Sequence, residues 1–125
     1  MYLADTNIFL EILLGQRKAK RCQSFLNSHI DQIYISDFSL HSIGVILFRL
    51  KKETILAEVY EDIFASGIGV LSLSRAGLLR ISEVAFNFDL DYDDAYQYLI
   101  AKENAIALVT LDKNFHNADI DTIAP

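Results

Sequence analysis

The sequence predicts a three-layer α/β/α fold, in which a mostly parallel central sheet of four or five strands lies between helices. Short β-branched or aromatic runs alternate along the chain with longer helical patterns, which is the order expected of βα units. The chain has 125 residues, of which 52% are apolar, enough for one core in a single domain over residues 1–125. No internal repeat or proline-rich linker indicates a second module.

The first half of the chain contains two strands, each followed by helices. The first strand ends at Asp5, and Thr6 is the predicted N-cap of a helix that Gly15 stops. Ser36 or Asp37 caps the helix after the second strand. That helix is apolar on more than one side, so we expect it to be deeply buried. The predicted elements are a strand at 1–4, helices at 8–15 and 17–28, a strand at 33–35, and helices at 38–52 and 54–65.

The second half alternates strand and helix more regularly. Ser66 and Gly67 interrupt the helical pattern before a strand, and Ser74 begins the next helix. The most strand-like run that remains lies between Ile106 and Thr110. The predicted elements are a strand at 68–73, helices at 74–87 and 91–104, a strand at 106–110, and a short last strand at 121–124.

Composition limits the classes of function. A net charge of −6 argues against tight nonspecific nucleic-acid binding, because phosphate contacts depend on Lys and Arg. The excess acid lies late in the chain, where residues 83–125 contain nine acidic and two basic residues. No membrane span or export signal is visible, so we expect a soluble cytoplasmic protein. The single cysteine, Cys22, fits a reducing compartment and is expected to fill the core.

Three carboxylates fall where strands end or helices begin. Asp5 follows the first strand, Asp94 lies in the first turn of the sixth helix, and Asp112 follows the strand at 106–110. The carboxyl ends of parallel strands and the amino ends of neighbouring helices meet at one sheet edge, so these side chains are expected to converge. Carboxylates so close together repel one another and are expected to hold a cation. Oxygen ligands favour Mg²⁺ or Mn²⁺ over zinc.

Each carboxylate also has a purely structural interpretation. Asp5 is a candidate N-cap of the first helix, and Asp112 is a candidate first residue of a turn. Asp91 and Asp94 resemble an acidic capping box, in which Asp91 serves as the cap. Asp93 is expected to face solvent. We favour one shared site over three unrelated caps.

Three stretches of the chain carry a family resemblance: residues 3–7 (Leu-Ala-Asp-Thr-Asn), 94–95 (Asp-Ala) and 109–115 (Val-Thr-Leu-Asp-Lys-Asn-Phe). They resemble the signature motifs of PIN domains, metal-dependent ribonucleases that include the VapC-type toxins of toxin–antitoxin pairs. The resemblance implies an endoribonuclease with Asp5, Asp94 and Asp112 as catalytic ligands for Mg²⁺ or Mn²⁺. Asn7 and Thr110 match supporting positions that orient the cluster through hydrogen bonds.

One position departs from the family pattern. PIN domains usually carry another acidic residue, most often Glu, about two turns into the helix after the second strand. Ser42 stands at that position and is expected to support the site without charge, so that metal binding is weaker or limited to one ion. We expect His41 beside it to be buried or capping. A weakened PIN domain that binds RNA or protein is therefore the alternative function.

The resemblance implies hydrolysis of an RNA phosphodiester by a metal-bound water. Asp5 and Asp112 are expected to anchor the ion, while Asp94 orients or deprotonates the water. A toxin-like PIN domain is also expected to form a homodimer and to be neutralised by a small antitoxin. The candidates for holding flanking RNA phosphates are basic residues before position 53: Arg17, Lys18, Lys20, Arg21, Arg49, Lys51 and Lys52.

Two other magnesium-dependent α/β classes fit less well. Haloacid-dehalogenase-like phosphatases need a second Asp two residues after the first, where this chain has Asn7. Receiver domains need an early acidic pair and a strand-end Lys, and neither is evident.

Overall fold

A five-stranded parallel sheet forms the centre of the protein in the computed structural model, which describes residues Met1–Pro125. The order across the sheet is β3-β2-β1-β4-β5, with every neighbouring pair parallel, so the first strand is central. The predicted fold class is confirmed. The strands are β1 (Tyr2–Ala4), β2 (Ile33–Ser36), β3 (Gly69–Leu71), β4 (Ala107–Val109) and β5 (Thr122–Ile123).

Six α-helices cover the two faces of the sheet. They are α1 (Thr6–Leu13), α2 (Ala19–Ser28), α3 (Asp37–Arg49), α4 (Leu56–Ala65), α5 (Arg75–Phe88) and α6 (Tyr92–Asn104). Two short 3₁₀ turns, Ile30–Gln32 and Glu53–Ile55, precede β2 and α4. No helix combines the length and the apolar content that crossing a membrane requires.

The core consists of two buried clusters, because side chains alternate between the faces of each strand. Leu3 and Leu108 belong to one cluster with residues of α5 and α6. Ala4 and Val109, the next residue on each strand, belong to the other cluster with residues of α1 to α4. All four are fully buried. Two layers of helices therefore pack against one sheet.

Polar caps fix where most helices begin. Ser36 Oγ accepts from Ser39 N at the start of α3, and Ser74 Oγ accepts from Gly77 N at the start of α5. Asp91 Oδ1 accepts from Asp94 N at 2.9 Å, as its predicted capping role requires. These side chains satisfy backbone donors that have no partner inside the helix.

The structure corrects two expectations about the first half. Thr6 is the first residue of α1 and not its cap; Asp5 is the N-cap, and its carboxylate accepts from Thr6 N. The helix α3 is not deeply buried on several sides, since it buries a narrow stripe through Ile43 and Leu47 while Phe48 is 60% exposed. Packing on one side of the sheet gives this helix only one inner face.

Two smaller observations complete the fold. The strand predicted at 68–73 is only three residues long, Gly69–Leu71, and it pairs with β2 alone. Cys22 is fully buried in the cluster beneath α1 to α4, as predicted. Burial raises the pKa of its thiol, so the thiolate form is disfavoured.

Candidate metal centre

The carboxyl edge of the sheet gathers three carboxylates from three distant segments. One carboxylate oxygen from each of Asp5, Asp94 and Asp112 lies within 4.8 Å of the others. Asp5 and Asp94 are buried, whereas Asp112 is exposed. Oxygen atoms at this separation are close enough to coordinate the same small cation.

Local backbone structure places each of the three side chains. Asp5 N donates to Val109 O at 2.9 Å, which fixes the end of β1 beside the end of β4. Asp112 N donates to Thr110 Oγ1 at 3.0 Å, which turns the chain back toward that edge after β4. Asp94 lies in the first turn of α6. The adjacency of β1 and β4 therefore brings Asp5 and Asp112 together, and the start of α6 adds Asp94.

Four hydrogen bonds hold the carboxylate of Asp5. Its Oδ1 accepts from Thr6 N at 2.8 Å and from Gln97 Nε2 at 3.1 Å. Its Oδ2 accepts from Thr110 Oγ1 at 2.8 Å and from Asn7 Nδ2 at 3.5 Å. Donors on both oxygens favour the ionised form and fix the plane of the carboxylate.

Asn7 and Thr110 also connect the segments that carry the carboxylates. Asn7 Nδ2 donates to Thr110 Oγ1 at 3.3 Å, and Asn7 Oδ1 accepts from Leu111 N at 3.3 Å. These contacts join the first turn of α1 to the loop after β4. Two of the three predicted supporting residues, Asn7 and Thr110, therefore lie in contact with the cluster.

Gln97 is a residue of this site that the sequence did not predict. Its side chain is 1% exposed, and Nε2 donates both to Asp5 Oδ1 and to Ser39 Oγ, the latter at 2.9 Å. Ser39 Oγ lies 2.7 Å from Thr6 Oγ1, so the network continues into α1. The available signal was a lone amide three residues after Asp94 in an apolar run, on the same helix face.

The Oε1 atom of Gln97 is buried and has no protein partner. A buried acceptor without a hydrogen bond typically costs about 1–3 kcal/mol. Because Gln97 lines the space over the cluster, an unpartnered acceptor on this residue fits a site that contains a water or a hydrated cation.

Burial and mutual repulsion raise the pKa of two of the carboxyls. Burial raises the pKa of Asp5, against hydrogen bonds from Gln97 and Thr110 that lower it. Burial raises the pKa of Asp94 to about 6, assisted by repulsion from neighbouring aspartates, although Asn114 Nδ2 donates to Asp94 Oδ2 at 3.2 Å. The protein alone therefore does not easily carry three negative charges here, and a divalent cation would relieve that cost.

A cavity of ≈ 470 Å³ opens over the cluster. Ser42, at the position that resembles the family's missing acidic residue, lines this cavity and is half-buried. His41 also lines it but is exposed, and it caps no helix, so our expectation of a buried or capping histidine is wrong. Asp93 also lines the cavity and is exposed, and partial desolvation, followed by repulsion from Asp91, raises the pKa of its carboxyl.

The structure separates the seven basic candidates by position. Arg49 lines the cavity over the carboxylates. Lys18 and Arg21 line a second groove that also includes Asp112. The remaining candidates line neither space: Arg17, Lys20, Lys51 and Lys52.

The chain is similar to one family and to several solved structures. The family model for the PIN domain matches residues 2–121. A sarcin-ricin loop cleaving toxin, VapC20 of Mycobacterium tuberculosis, is 14% identical over 100% of both chains, with a TM-score of 0.84. FitAcB from Neisseria gonorrhoeae is 24% identical over 98% of this chain and 96% of its own, with a TM-score of 0.78.

A toxin–antitoxin complex from Klebsiella pneumoniae is 21% identical over 98% of this chain and 96% of its own, with a TM-score of 0.75. At these identities, the similarity to solved structures shows a common fold. No curated protein sequence is significantly similar to this chain.

Proposed function

The chain belongs to the PIN domain family, and on that premise we propose that it is a metal-dependent endoribonuclease that acts as a toxin. The observation that carries this proposal is the convergence of Asp5, Asp94 and Asp112 within 4.8 Å at the carboxyl edge of the sheet. Resemblance to a toxin–antitoxin complex and to an RNA-cleaving toxin supports the same class of function.

The cation is Mg²⁺ or Mn²⁺, with Asp5, Asp94 and Asp112 as its protein ligands. The donor set fits, since it contains only hard oxygen atoms and no Cys or His within the cluster. The raised pKa of Asp94 and the unpartnered Gln97 Oε1 both support a site that binds a cation. When bound, such an ion supplies a water of lowered pKa and positive charge beside the phosphodiester.

The three carboxylates have different roles in this proposal. Asp5 is the fixed ligand, because hydrogen bonds on both oxygens hold its orientation. Asp112 is the exposed ligand, at the point where substrate enters. Asp94 is the ligand carried by the first turn of α6, and in this proposal it would orient the attacking water.

The partners follow from the same family membership. We propose a cytoplasmic protein that forms a homodimer and is neutralised by a small antitoxin, as expected of a toxin in this family. Co-expression with the product of a neighbouring short reading frame tests the antitoxin: toxicity that this product relieves supports the assignment. Size-exclusion chromatography with light scattering measures the oligomeric state.

Cleavage of a fluorescent oligoribonucleotide in Mn²⁺ tests the enzymatic proposal. Asp5→Asn should reduce kcat/KM by more than about a hundredfold, because it removes the fixed ligand and its charge. Asp31→Asn is the matched control. Asp31 is exposed and precedes β2, so it lies at the amino ends of the strands, away from the carboxylate cluster. A DNA strand of the same sequence tests selectivity. Cleavage that survives in Asp5→Asn overturns the assignment.

A further inference from the structure

A second groove lies beside the carboxylate cavity and shares one wall with it. The groove has a volume of ≈ 470 Å³, and Asp112 lines both spaces. Its basic lining residues come from separate parts of the chain: Lys18, Arg21, Lys113 and His116. A concentration of cationic side chains is unusual here, because the chain has a net charge of −6 and residues 83–125 contain only two basic residues.

No carboxylate side chain forms an ion pair with Lys18, Arg21 or Lys113, although Asp112 also lines the groove. The single ion pair in the structure joins Lys102 to Asp119, on another part of the surface. Arg21 donates one hydrogen bond, at 2.7 Å, to Pro125 O and retains further N–H donors. Lys18, Arg21 and Lys113 are all exposed. Their charges are therefore available to an anionic ligand that enters the groove.

A further cation lies on the opposite side of the shared wall. Phe38, Ser42, Val45 and Arg49 line the carboxylate cavity at intervals of three or four residues, so they form one face of α3. Ser39, near the start of α3, contacts Gln97 of the cluster, and Arg49 lies ten residues farther along the helix, about 15 Å at about 1.5 Å per residue. That distance is several nucleotides of a stacked strand, at about 3.4 Å each.

We propose that these features form a phosphate track, defined as Lys18, Arg21 and Lys113 in the groove together with Arg49 in the cavity. A single RNA strand crosses the site at Asp112, with its backbone held on one side by the three groove cations and on the other by Arg49. This inference rests on the proposed nuclease function and specifies how the substrate enters. A nucleic-acid strand suits the track because its charges recur at regular intervals and span both spaces.

The chain itself provides charge-matched controls. Lys20, Lys51 and Lys52 are exposed and basic but line neither the groove nor the cavity. The triple variant Lys18→Ala/Arg21→Ala/Lys113→Ala and the control triple Lys20→Ala/Lys51→Ala/Lys52→Ala remove the same net charge. A difference between them therefore reports position and not total charge.

Fluorescence anisotropy with a labelled oligouridylate of about a dozen nucleotides measures binding, in Mg²⁺ and in an Asp94→Asn background that suppresses cleavage. The track triple should bind roughly tenfold or more weakly at low salt. Its slope of log affinity against log salt should fall by about two, since each phosphate contact contributes about 0.7 on single strands. Arg49→Ala should lower the slope by less than one, and the control triple should change it little. Equal effects of the two triples overturn the proposal, as does a failure of the background chain to bind the oligouridylate.

Poly-glutamate in the same assay tests an acidic polypeptide as the occupant. Binding of poly-glutamate as tight as that of the oligouridylate, and equally lost in the track triple, overturns the assignment to nucleic acid. Weaker binding, unaffected by the track substitutions, supports it.

Kinetics separate failure of the track from failure of the nuclease proposal. In the otherwise native chain, the track triple should raise KM several-fold with little change in kcat, because these residues bind phosphates away from the reacting atoms. If the native chain cleaves RNA and the track triple has the same KM, the nuclease proposal stands and the phosphate track is refuted. If the native chain cleaves no RNA but the track triple loses oligouridylate binding, the nuclease proposal fails and the phosphate track stands as a binding surface.

Discussion

The two sides of the carboxylate cluster differ in how firmly the protein holds them. Asp5 is buried and accepts four hydrogen bonds from Thr6, Gln97, Thr110 and Asn7. Asp112 is exposed, and no protein donor holds its carboxylate. The contrast indicates that the fold fixes one ligand in advance and leaves the other side open to an ion and a substrate. We therefore expect the hydrogen bonds to Asp5 to contribute more to metal affinity than polar groups on the open side.

The largest effect is expected from removing those hydrogen bonds. Gln97→Leu and Thr110→Val should each weaken Mn²⁺ binding by roughly 10–100-fold, because a ligand that loses its supporting hydrogen bond is no longer held in place. Asn114→Ala is the comparison on the Asp94 side, where a single longer contact is lost. Its effect should be several-fold at most.

Isothermal titration calorimetry with Mn²⁺ measures these affinities, and thermal unfolding checks that each variant folds. Gln97→Glu is a second test, since it keeps the size of the side chain but removes a donor and adds charge. A folded Gln97→Leu variant that binds Mn²⁺ as tightly as the native chain would contradict the contrast between the two sides.

A smaller effect is expected on stability without metal. The pKa of Asp94 is raised from 3.8 to about 6 in the folded chain, so the folded state binds that proton more tightly than the unfolded state. The corresponding stability is fully present below about pH 4 and is lost as the pH rises through about 6. The raised pKa of Asp5 acts in the same direction.

Thermal unfolding of native chain and Asp94→Asn, each in EDTA and in Mg²⁺, measures this effect. In EDTA, the native melting temperature should fall relative to that of Asp94→Asn as the pH rises from about 4 to 7. Added Mg²⁺ should reverse the difference at pH 7, because only the native chain retains all three carboxylates. If the native chain and Asp94→Asn show the same dependence of melting temperature on pH in EDTA, burial does not raise the pKa of Asp94.

The smallest effect concerns the open side, at Ser42. Ser42→Glu adds a carboxylate to the cavity wall and should increase Mn²⁺ affinity several-fold or raise the number of ions bound. Ser42→Gln has nearly the same size without the charge and should do neither. Manganese titration followed by electron paramagnetic resonance counts the bound ions. Identical titrations for the two variants would indicate that position 42 is too far from the ion to act as a ligand.

The sequence allowed prediction of the carboxylates but not of their surroundings. Asp5, Asp94 and Asp112 were found because each lies at an element boundary, and parallel strands bring such boundaries to one edge. Gln97 was missed because a single amide in an apolar helix is indistinguishable, along the sequence, from a solvated surface residue. Only the packing of α6 against β1 places that amide on Asp5.

The burial of α3 and the positions of the basic side chains could not be predicted from the sequence either. The apolar residues of α3 predicted burial on several sides, but a helix on a sheet has one inner face, so Phe48 remains exposed. The seven basic candidates looked equivalent in sequence, and only tertiary structure separates Lys18, Arg21 and Arg49 from the rest. Lys113 was not among them, because its proximity to α2 depends on the loop after β4.

The most direct test of the central claim is a crystal structure of the chain soaked in Mn²⁺, with the ion located by its anomalous signal. We predict an ion within about 2.0–2.3 Å of one oxygen from each of Asp5, Asp94 and Asp112. A manganese ion bound elsewhere, or one that contacts Asp94 and Asp112 but leaves Asp5 beyond coordination distance, would contradict it.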